Sequence, residues 1–178
     1  MSSEQPSWIR HLVTFLIIFA LGGFMIYRGG CLTGQQQPGP PEDARVVDVA
    51  VDRWLITAEV ADTPELRRQG LSGRPSLGPG QGMLFVFPET QTPDFWMRNT
   101  TVALSVAFIK ADGTVIDVQQ MEPKSLRRHT PPEPVKYALE VRQGWFADRG
   151  LEVPFKAEIP QDIPAPAAPE PEGQNPSQ

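Results

Sequence analysis

The chain of 178 residues contains very few of the side chains from which disulfides and metal centres are built. Its one cysteine is Cys31, and its two histidines, His11 and His129, lie far apart in the sequence. A single cysteine cannot close an intramolecular disulfide, and no zinc site can be assembled from these His and Cys residues alone. We therefore expect neither a metal nor a cofactor.

Basic clusters and catalytic motifs are also missing. The formal net charge is −5 and the arginines are scattered, whereas a nucleic-acid surface needs a clustered basic face. No serine is framed as a nucleophile elbow, and no glycine-rich loop has a phosphate-binding pattern. We expect no nucleic-acid partner and identify no catalytic residue. For an enzyme of unrecognised mechanism, Glu122 and Glu140 would be the first suspects.

One long apolar segment lies near the N terminus. Residues 12–27 carry no charge, and extending the segment to include Trp8 and Ile9 gives a helix of about 30 Å, the thickness of the hydrocarbon core of a bilayer. Arg10 would then have to extend its side chain toward the head groups. We expect residues 8–27 to form a retained membrane anchor. Its apolar and aromatic side chains include Trp8, Leu12, Phe15, Phe19, Phe24 and Tyr27.

Two other interpretations of this segment remain open. It could be a cleaved signal peptide with Ala20 and Gly22 as the small-residue pair, although the apolar run continues beyond them. Cys31 could be lipidated, although Arg28, three residues earlier, suits lipoprotein processing poorly. With a retained anchor, we expect a single-pass protein of the bacterial inner membrane. Its N terminus would be cytoplasmic and its C-terminal domain periplasmic.

Proline content divides the rest of the chain. Residues 1–33 hold the N-terminal tail and the anchor, 34–45 form a Pro- and Gly-containing linker, and 46–160 have the pattern of one folded domain. Residues 161–178 are rich in Pro, Ala, Glu and Gln and cannot bury enough apolar surface to fold. This tail is either solvated or a polyproline strap that orders on a partner.

Apolar alternation with a period of two predicts a mostly antiparallel domain. Strands are expected at residues 47–51, 54–60, 83–87, 95–99, 103–110, 114–121, 137–141 and 153–159. A short helix begins after Thr63 and ends before Gly70, and a second spans residues 143–149. Asp112 belongs to the hairpin turn between the two strands of 103–121. The predicted fold is a small, barrel-like α+β domain with two short helices, preceded by one transmembrane helix.

Five motifs in order connect this domain with a known family. They are VADTPELRRQGLSGR (60–74), GMLFVF (82–87), FWMRNT (95–100), ALSVAFIKADGTVI (103–116) and YALEVRQG (137–144). The block from Glu59 to Leu151 resembles the domain-of-unknown-function 192 family, small bacterial and archaeal domains often carried behind a signal or anchor segment. The resemblance implies an exported domain and no settled activity. Ser72 stands where similar domains usually have Met, and Ser105 where they usually have Asp, so any ligand or ion held by that Asp would be lost here.

The candidate site lies at the end of the FWMRNT motif. Arg98, Asn99 and Thr100 offer donors and a hydroxyl suited to gripping an anion or a backbone segment. Arg74, after the short helix, could face the same place. The alternative is structural, with Arg98 paired to a carboxylate such as Glu140 while Asn99 and Thr100 satisfy a turn.

The nearby aromatic residues have two interpretations as well. Trp96, Phe95 and Phe87 could line a ligand pocket, but in so small a domain we expect them to be core. His129, in a loop bounded by prolines, is expected to be a surface residue.

These observations lead to three functional hypotheses. The favoured one is a non-catalytic, exported and membrane-anchored accessory or binding subunit, docked on a larger membrane protein complex. An energy-transducing assembly, respiratory or photosynthetic, is one possibility for that complex. The second hypothesis is a stand-alone small-molecule or peptide binding domain at the membrane surface, gripping with Arg74, Arg98 and Asn99. The third is the enzyme of unrecognised mechanism.

Overall fold

The computed structural model describes residues 44–161 and residue 163. These residues form strands β1 (Val46–Val51), β2 (Trp54–Ala61), β3 (Gln81–Gln91), β4 (Leu104–Ile109), β5 (Thr114–Met121), β6 (Val135–Arg142) and β7 (Phe155–Glu158), helix α1 (Pro64–Gln69) and a 3₁₀ helix (Ala147–Arg149). In this part of the chain no helix is long and apolar enough to cross a membrane. The predicted anchor at residues 8–27, the linker up to residue 43, Cys31 and nearly all of the tail lie outside it.

The seven strands of the described domain close into a barrel in the order β1-β2-β3-β6-β4-β5-β7. Every neighbouring pair is antiparallel except β2 and β3, which run parallel with Ala58 opposite Gly82. The prediction of a mostly antiparallel, barrel-like domain is confirmed. The β4–β5 hairpin turns where expected, and the carboxylate of Asp112 accepts a hydrogen bond from the Thr114 amide at 2.9 Å.

Helix α1 is defined by its ends. The side chain of Thr63 accepts a hydrogen bond from the Leu66 amide at 3.2 Å, Pro64 occupies the first turn, and Gly70 ends the helix with φ of 52°. The capping hydroxyl satisfies an amide that has no partner inside the helix, and glycine adopts the positive φ without a steric penalty. The predicted helix is confirmed.

Apolar side chains fill the barrel interior and also cover part of its outer surface. Leu84, Leu139 and Val141 belong to the interior cluster. The intervening positions of β3, β6 and β4 point outward into a second cluster, and all six residues of β4 are buried. The connections between strands supply the cover, with Leu71 and Phe95 among their buried residues. The sheet β3-β6-β4 is therefore apolar on both faces.

Residues 95–99, predicted as a strand, are not one. Phe95 and Met97 are buried while Trp96 and Arg98 are exposed, so the alternation is real. The backbone, however, pairs only through an isolated bridge between Phe95 and His129. The segment crosses the outer face of the sheet as part of its cover.

Three element boundaries also differ from the predictions. Strand β3 continues past Phe87 to Gln91, with a break in its pairing with β6 after Val86. The helix predicted at 143–149 is only the 3₁₀ turn Ala147–Arg149. The last strand is shorter than residues 153–159, since it spans Phe155–Glu158.

Gly82 provides a test of the packing of β3 between β2 and β6. A Cβ atom there would lie 2.6 Å from the main-chain oxygen of Glu140 and 3.1 Å from Ile56 Cγ2. We expect Gly82→Ala to lower the free energy of unfolding by about 1–3 kcal/mol, because the backbones must separate. Chemical denaturation measures this change. The control is the substitution of an exposed residue, Glu158→Ala, whose free energy of unfolding should stay within about 0.5 kcal/mol of the wild-type value. An unchanged stability for Gly82→Ala would contradict this close approach.

Candidate functional site

A groove of about 680 Å³ opens on the covered outer face of the sheet. Its walls come from α1 and the residues that follow it, from the end of β3, and from residues 93–100. The buried apolar residues of its lining are Leu71, Phe85, Phe87 and Phe95. The rings of Phe85 and Phe95 meet edge to face with centroids 4.9 Å apart. The groove is thus a gap in the cover, floored by the second apolar cluster.

Helix α1 brings two arginines to the groove, and they differ in their partners. Arg67 donates from Nη1 to the main-chain oxygen of Val86 at 3.0 Å, and its guanidinium lies 6.0 Å from the centroid of the Phe87 ring. Arg68 is exposed and forms no ion pair with any described carboxylate. Arg67 therefore ties the helix to β3, while the charge of Arg68 is left at the rim.

Two further arginines of the groove lie against the ring of Trp96. The guanidinium carbons of Arg98 and Arg128 lie 5.5 and 4.0 Å from the ring centroid. Arg128 is also paired with Asp94, with 3.2 Å between nitrogen and oxygen. Arg98 forms no ion pair within the described domain, so the predicted alternative, a pair between Arg98 and Glu140, is not observed there.

Glu140 is the acidic residue at the floor of the groove. On β6 it lies opposite Met83 of β3 and Val106 of β4, so its carboxyl group is set in the apolar outer face. The residue is 4% exposed, and no described side chain or amide hydrogen-bonds to its carboxyl group. Burial raises the pKa of Glu140 from 4.5 to about 8. At neutral pH the carboxyl group is therefore mainly protonated and uncharged.

Thr100 places a second polar group in the lining. The residue is 5% exposed, and its amide donates to the main-chain oxygen of Met97 at 3.0 Å. Its hydroxyl makes no hydrogen bond with a described residue. Asn99 precedes it with φ of 60°, a conformation that Asn tolerates better than most residues. The main-chain oxygen of Asn99 accepts from the Gly73 amide at 3.1 Å, which fastens the two walls together.

The predicted site is thus brought together in part. Trp96, Arg98, Asn99, Thr100 and Glu140 all line the groove. Arg74 does not, because its guanidinium is turned into a largely buried ion pair with Glu59 of β2. Burial raises the pKa of Glu59, and the positive charge and hydrogen bond of Arg74 oppose that increase.

Other residues singled out in the sequence are structural or lie elsewhere. Ser105 is fully buried, donates to Gln120 Oε1 at 2.9 Å and accepts from the Gly144 amide at 3.1 Å. Glu122 is exposed and accepts from Gln143 Nε2 at 3.2 Å, outside the groove. The prediction that His129 is a surface residue is wrong, since it is 3% exposed and Nδ1 lies 3.0 Å from Gln119 Oε1. Burial lowers the pKa of His129.

Sequence reasoning did not find the two rim arginines Arg68 and Arg128, nor Phe85 as floor. The signal was weak, because Arg68 and Phe85 lie in motifs whose pattern describes packing, and Arg128 lies in a loop outside those motifs. Among the described residues, no group of three or more His, Cys, Asp or Glu side chains could hold a metal ion.

Comparisons with known proteins agree with this architecture. The family model DUF192, described as "Uncharacterized ACR", matches residues 47–159. The chain is similar to a putative transcription regulator from Sinorhizobium meliloti 1021, with 32% identity and a TM-score of 0.59 over 64% of this chain and 91% of that one. It is also similar to a protein of unknown function from Novosphingobium aromaticivorans DSM 12444, with 27% identity and a TM-score of 0.65. That match covers 74% of this chain and 100% of the other. Comparison with curated proteins finds no match.

Phe95 and Trp96 are adjacent aromatic residues in opposite environments. Phe95 is 8% exposed and contacts the rings of Phe85 and Phe108, whereas Trp96 is 38% exposed, so the core prediction for Trp96 is wrong. We expect Phe95→Ala to cost about 3–5 kcal/mol of stability, because it leaves a cavity. Trp96→Ala should cost less than about 1.5 kcal/mol, chiefly through two exposed cation–π contacts. Thermal and chemical unfolding measure the stability of the two variants. An equal loss in both would contradict the assignment of Phe95 to the core and Trp96 to the surface.

The substitution Glu140→Gln tests whether the buried carboxyl group of Glu140 is protonated. Because burial raises the pKa of Glu140 to about 8, the folded chain retains a proton that the unfolded chain releases above pH 4.5. Wild-type stability should therefore fall as the pH rises from 4.5 to 8, a loss that Gln cannot show. The variant should be the more stable protein at pH 9, by at most about 5 kcal/mol, and similar at pH 4. Urea unfolding of both proteins across this pH range measures the difference in stability. Parallel curves of stability against pH would refute the raised pKa of Glu140.

Proposed function

We propose that this chain, which belongs to the domain-of-unknown-function 192 (DUF192) family, is a non-catalytic binding protein whose groove holds a ligand. We further propose that an N-terminal helix keeps the domain at the periplasmic face of a bacterial inner membrane, as an accessory subunit of a larger membrane complex. The observation that carries the binding role is the groove itself, which combines an apolar floor, a positive rim and two buried polar side chains without hydrogen-bond partners in the described domain.

The size and composition of the groove support a ligand site. Its volume of about 680 Å³ falls within the range of roughly 300–1,000 Å³ typical of small-molecule pockets. Such pockets are lined mainly by apolar and aromatic side chains with a few polar groups that orient the ligand. Phe85, Phe87 and Phe95 supply the first kind here, and Thr100 and Glu140 supply the second.

The charge distribution points to a negatively charged ligand. The whole chain has a formal net charge of −5, yet the groove is bordered by Arg67, Arg68, Arg98 and Arg128. The acidic residues in its lining are Asp94, which is paired with Arg128, and Glu140, which is mainly uncharged at neutral pH. A concave site lined by one sign of charge concentrates ligands of the opposite sign.

The membrane part of the proposal is supported by the sequence. Residues 12–27 form an uncharged apolar run, which reaches bilayer length when it is extended past Arg10 and His11 to Trp8, and Pro-rich segments stand on both sides of the folded domain. An anchor, a linker and a tail that each contact a partner weakly would act together through their effective concentration. This arrangement favours a subunit attached through its ends, with the groove left for a separate ligand.

Regulation of transcription is not part of the proposal. The Sinorhizobium protein is described as a putative transcription regulator, and such a role would need a basic surface facing nucleic-acid phosphates. In this chain the arginines Arg67, Arg68, Arg98 and Arg128 border a concave groove with an aromatic floor, which suits a small anion better than a duplex.

Co-purification in mild detergent tests the subunit role. The full-length chain should elute in a stoichiometric multi-subunit particle. A chain lacking both residues 1–33 and 161–178 should elute as a free, folded domain, because two of its linked contacts are gone. The double substitution Arg98→Ala and Asn99→Ala should remain in the particle. Release of the double variant, with the truncated domain still bound, would place the partner contact in the groove and overturn the docking proposal.

A further inference from the structure

Two polar side chains at the floor of the groove have no hydrogen-bond partner within the described domain. Glu140 and Thr100 are each at least nine-tenths buried and face no hydrogen-bond partner among the described residues. Because both groups line the groove, a ligand that reached the floor could supply the partner that the protein does not.

Both floor groups are suited to donate hydrogen bonds. An un-ionised carboxyl group has one O–H donor, and a threonine hydroxyl has another. No positive side chain contributes to the pKa of Glu140, whose increase is caused by burial alone. A charged ligand atom placed at the floor would therefore be desolvated without a counter-charge, which is costly. An uncharged oxygen that accepts from Glu140 and Thr100 fits the floor better.

The rim of the groove is suited to a negatively charged group. Arg68 and Arg98 are exposed and form no ion pair with a described carboxylate. A guanidinium group binds carboxylate or phosphate through two parallel N–H donors. Arg128 already has Asp94 as its partner. The two free rim arginines therefore favour an anionic group at the mouth of the groove.

The floor around the two polar groups, Glu140 and Thr100, is aromatic. Phe85 and Phe95 are buried and packed edge to face, and Phe87 is buried beside them in the same cluster. Flat apolar groups gain both from burial and from the preferred edge or offset geometry against such rings. The middle of a ligand should therefore be apolar, and an aromatic ring suits it best.

Resting on the proposed binding function, we propose that the ligand is an organic anion with an aromatic or otherwise apolar body and an uncharged oxygen at its far end. The anion lies on the guanidinium groups of Arg68 and Arg98, the body lies against the phenylalanine rings of the floor, and the oxygen accepts from Glu140 and Thr100. Two sources offer this chemistry: a free aromatic acid with a ring hydroxyl, and the C-terminal tyrosine of a peptide.

Isothermal titration calorimetry of the full-length chain in phosphatidylcholine nanodiscs at pH 7 tests this ligand class, with empty nanodiscs as the blank. The reference probe is 3-(4-hydroxyphenyl)propionate. Removing the ring oxygen, as in 3-phenylpropionate, should weaken binding about tenfold, and so should removing the charge, as in 3-(4-hydroxyphenyl)propionamide. The peptide acetyl-Gly-Gly-Tyr with a free carboxylate distinguishes the sources, because tighter binding than the reference probe identifies a chain end.

Matched variants separate the two ends of the ligand. Arg98→Gln should weaken the hydroxy acid several-fold and leave the amide unchanged. Glu140→Leu should abolish the preference for the hydroxy acid over 3-phenylpropionate, whereas Glu140→Gln keeps a donor and should retain it. Arg142→Gln, an exposed arginine of β6 that does not line the groove, is the control and should match the wild type.

The outcomes distinguish this ligand class from the binding function on which it rests. If the amide and 3-phenylpropionate bind as tightly as the hydroxy acid, and Phe95→Ala weakens all three, the ligand class is wrong but the groove still binds. If no probe binds to the wild type, the ligand class and the binding function are both wrong. Equal effects of Arg98→Gln and Arg142→Gln would also overturn the assignment of the anion to the rim.

Discussion

The structure depends on burying both faces of the sheet formed by β3, β6 and β4. A small barrel usually alternates between a packed interior and a solvated exterior. Here all six residues of β4 are buried, and outward-facing side chains such as Phe85 and Phe108 form a second apolar cluster. The connections between strands must cover that cluster, so α1 and residues 93–100 are part of the core packing. The groove is the place where this cover is incomplete.

The position of Glu140 follows from that arrangement and determines the chemistry of the groove. A carboxyl group among Met83 and Val106 is taken out of water with no positive partner in the described domain, so its neutral form is favoured. Glu59 is the internal comparison, because there the charge and hydrogen bond of Arg74 oppose the effect of burial. One buried acid is thus neutralised by a cation and the other by a proton. Only the second remains able to donate to a ligand.

Local patterns in the sequence predicted much of the barrel. Alternation identified β1, β2 and the β4–β5 hairpin, and the capping residues of α1 fixed that helix, because these signals act over a few residues. The segment 95–99 was misassigned because alternation reports which side chains are buried. It does not report whether the backbone pairs with a strand, and Phe95 pairs only through one bridge.

The site was less predictable than the fold, for a related reason. Arg74 and Arg98 look alike in the sequence, yet Glu59 on β2 pairs with Arg74, whereas Arg98 remains at the groove. The exposure of Trp96, the burial of His129 and the isolation of Glu140 likewise depend on which elements pack above them. Such tertiary relations cannot be read from spacing along the chain.

The central claim is that Glu140 is an uncharged acid at the floor of a ligand groove. A ¹³C NMR titration of the Glu140 carboxyl carbon, assigned by comparison with Glu140→Gln, tests it most directly. A pKa of about 8 is expected for the free protein, because burial without a cationic partner disfavours the carboxylate. A midpoint near 4.5, the ordinary value for glutamate, would show a solvated or paired carboxylate and would contradict the claim.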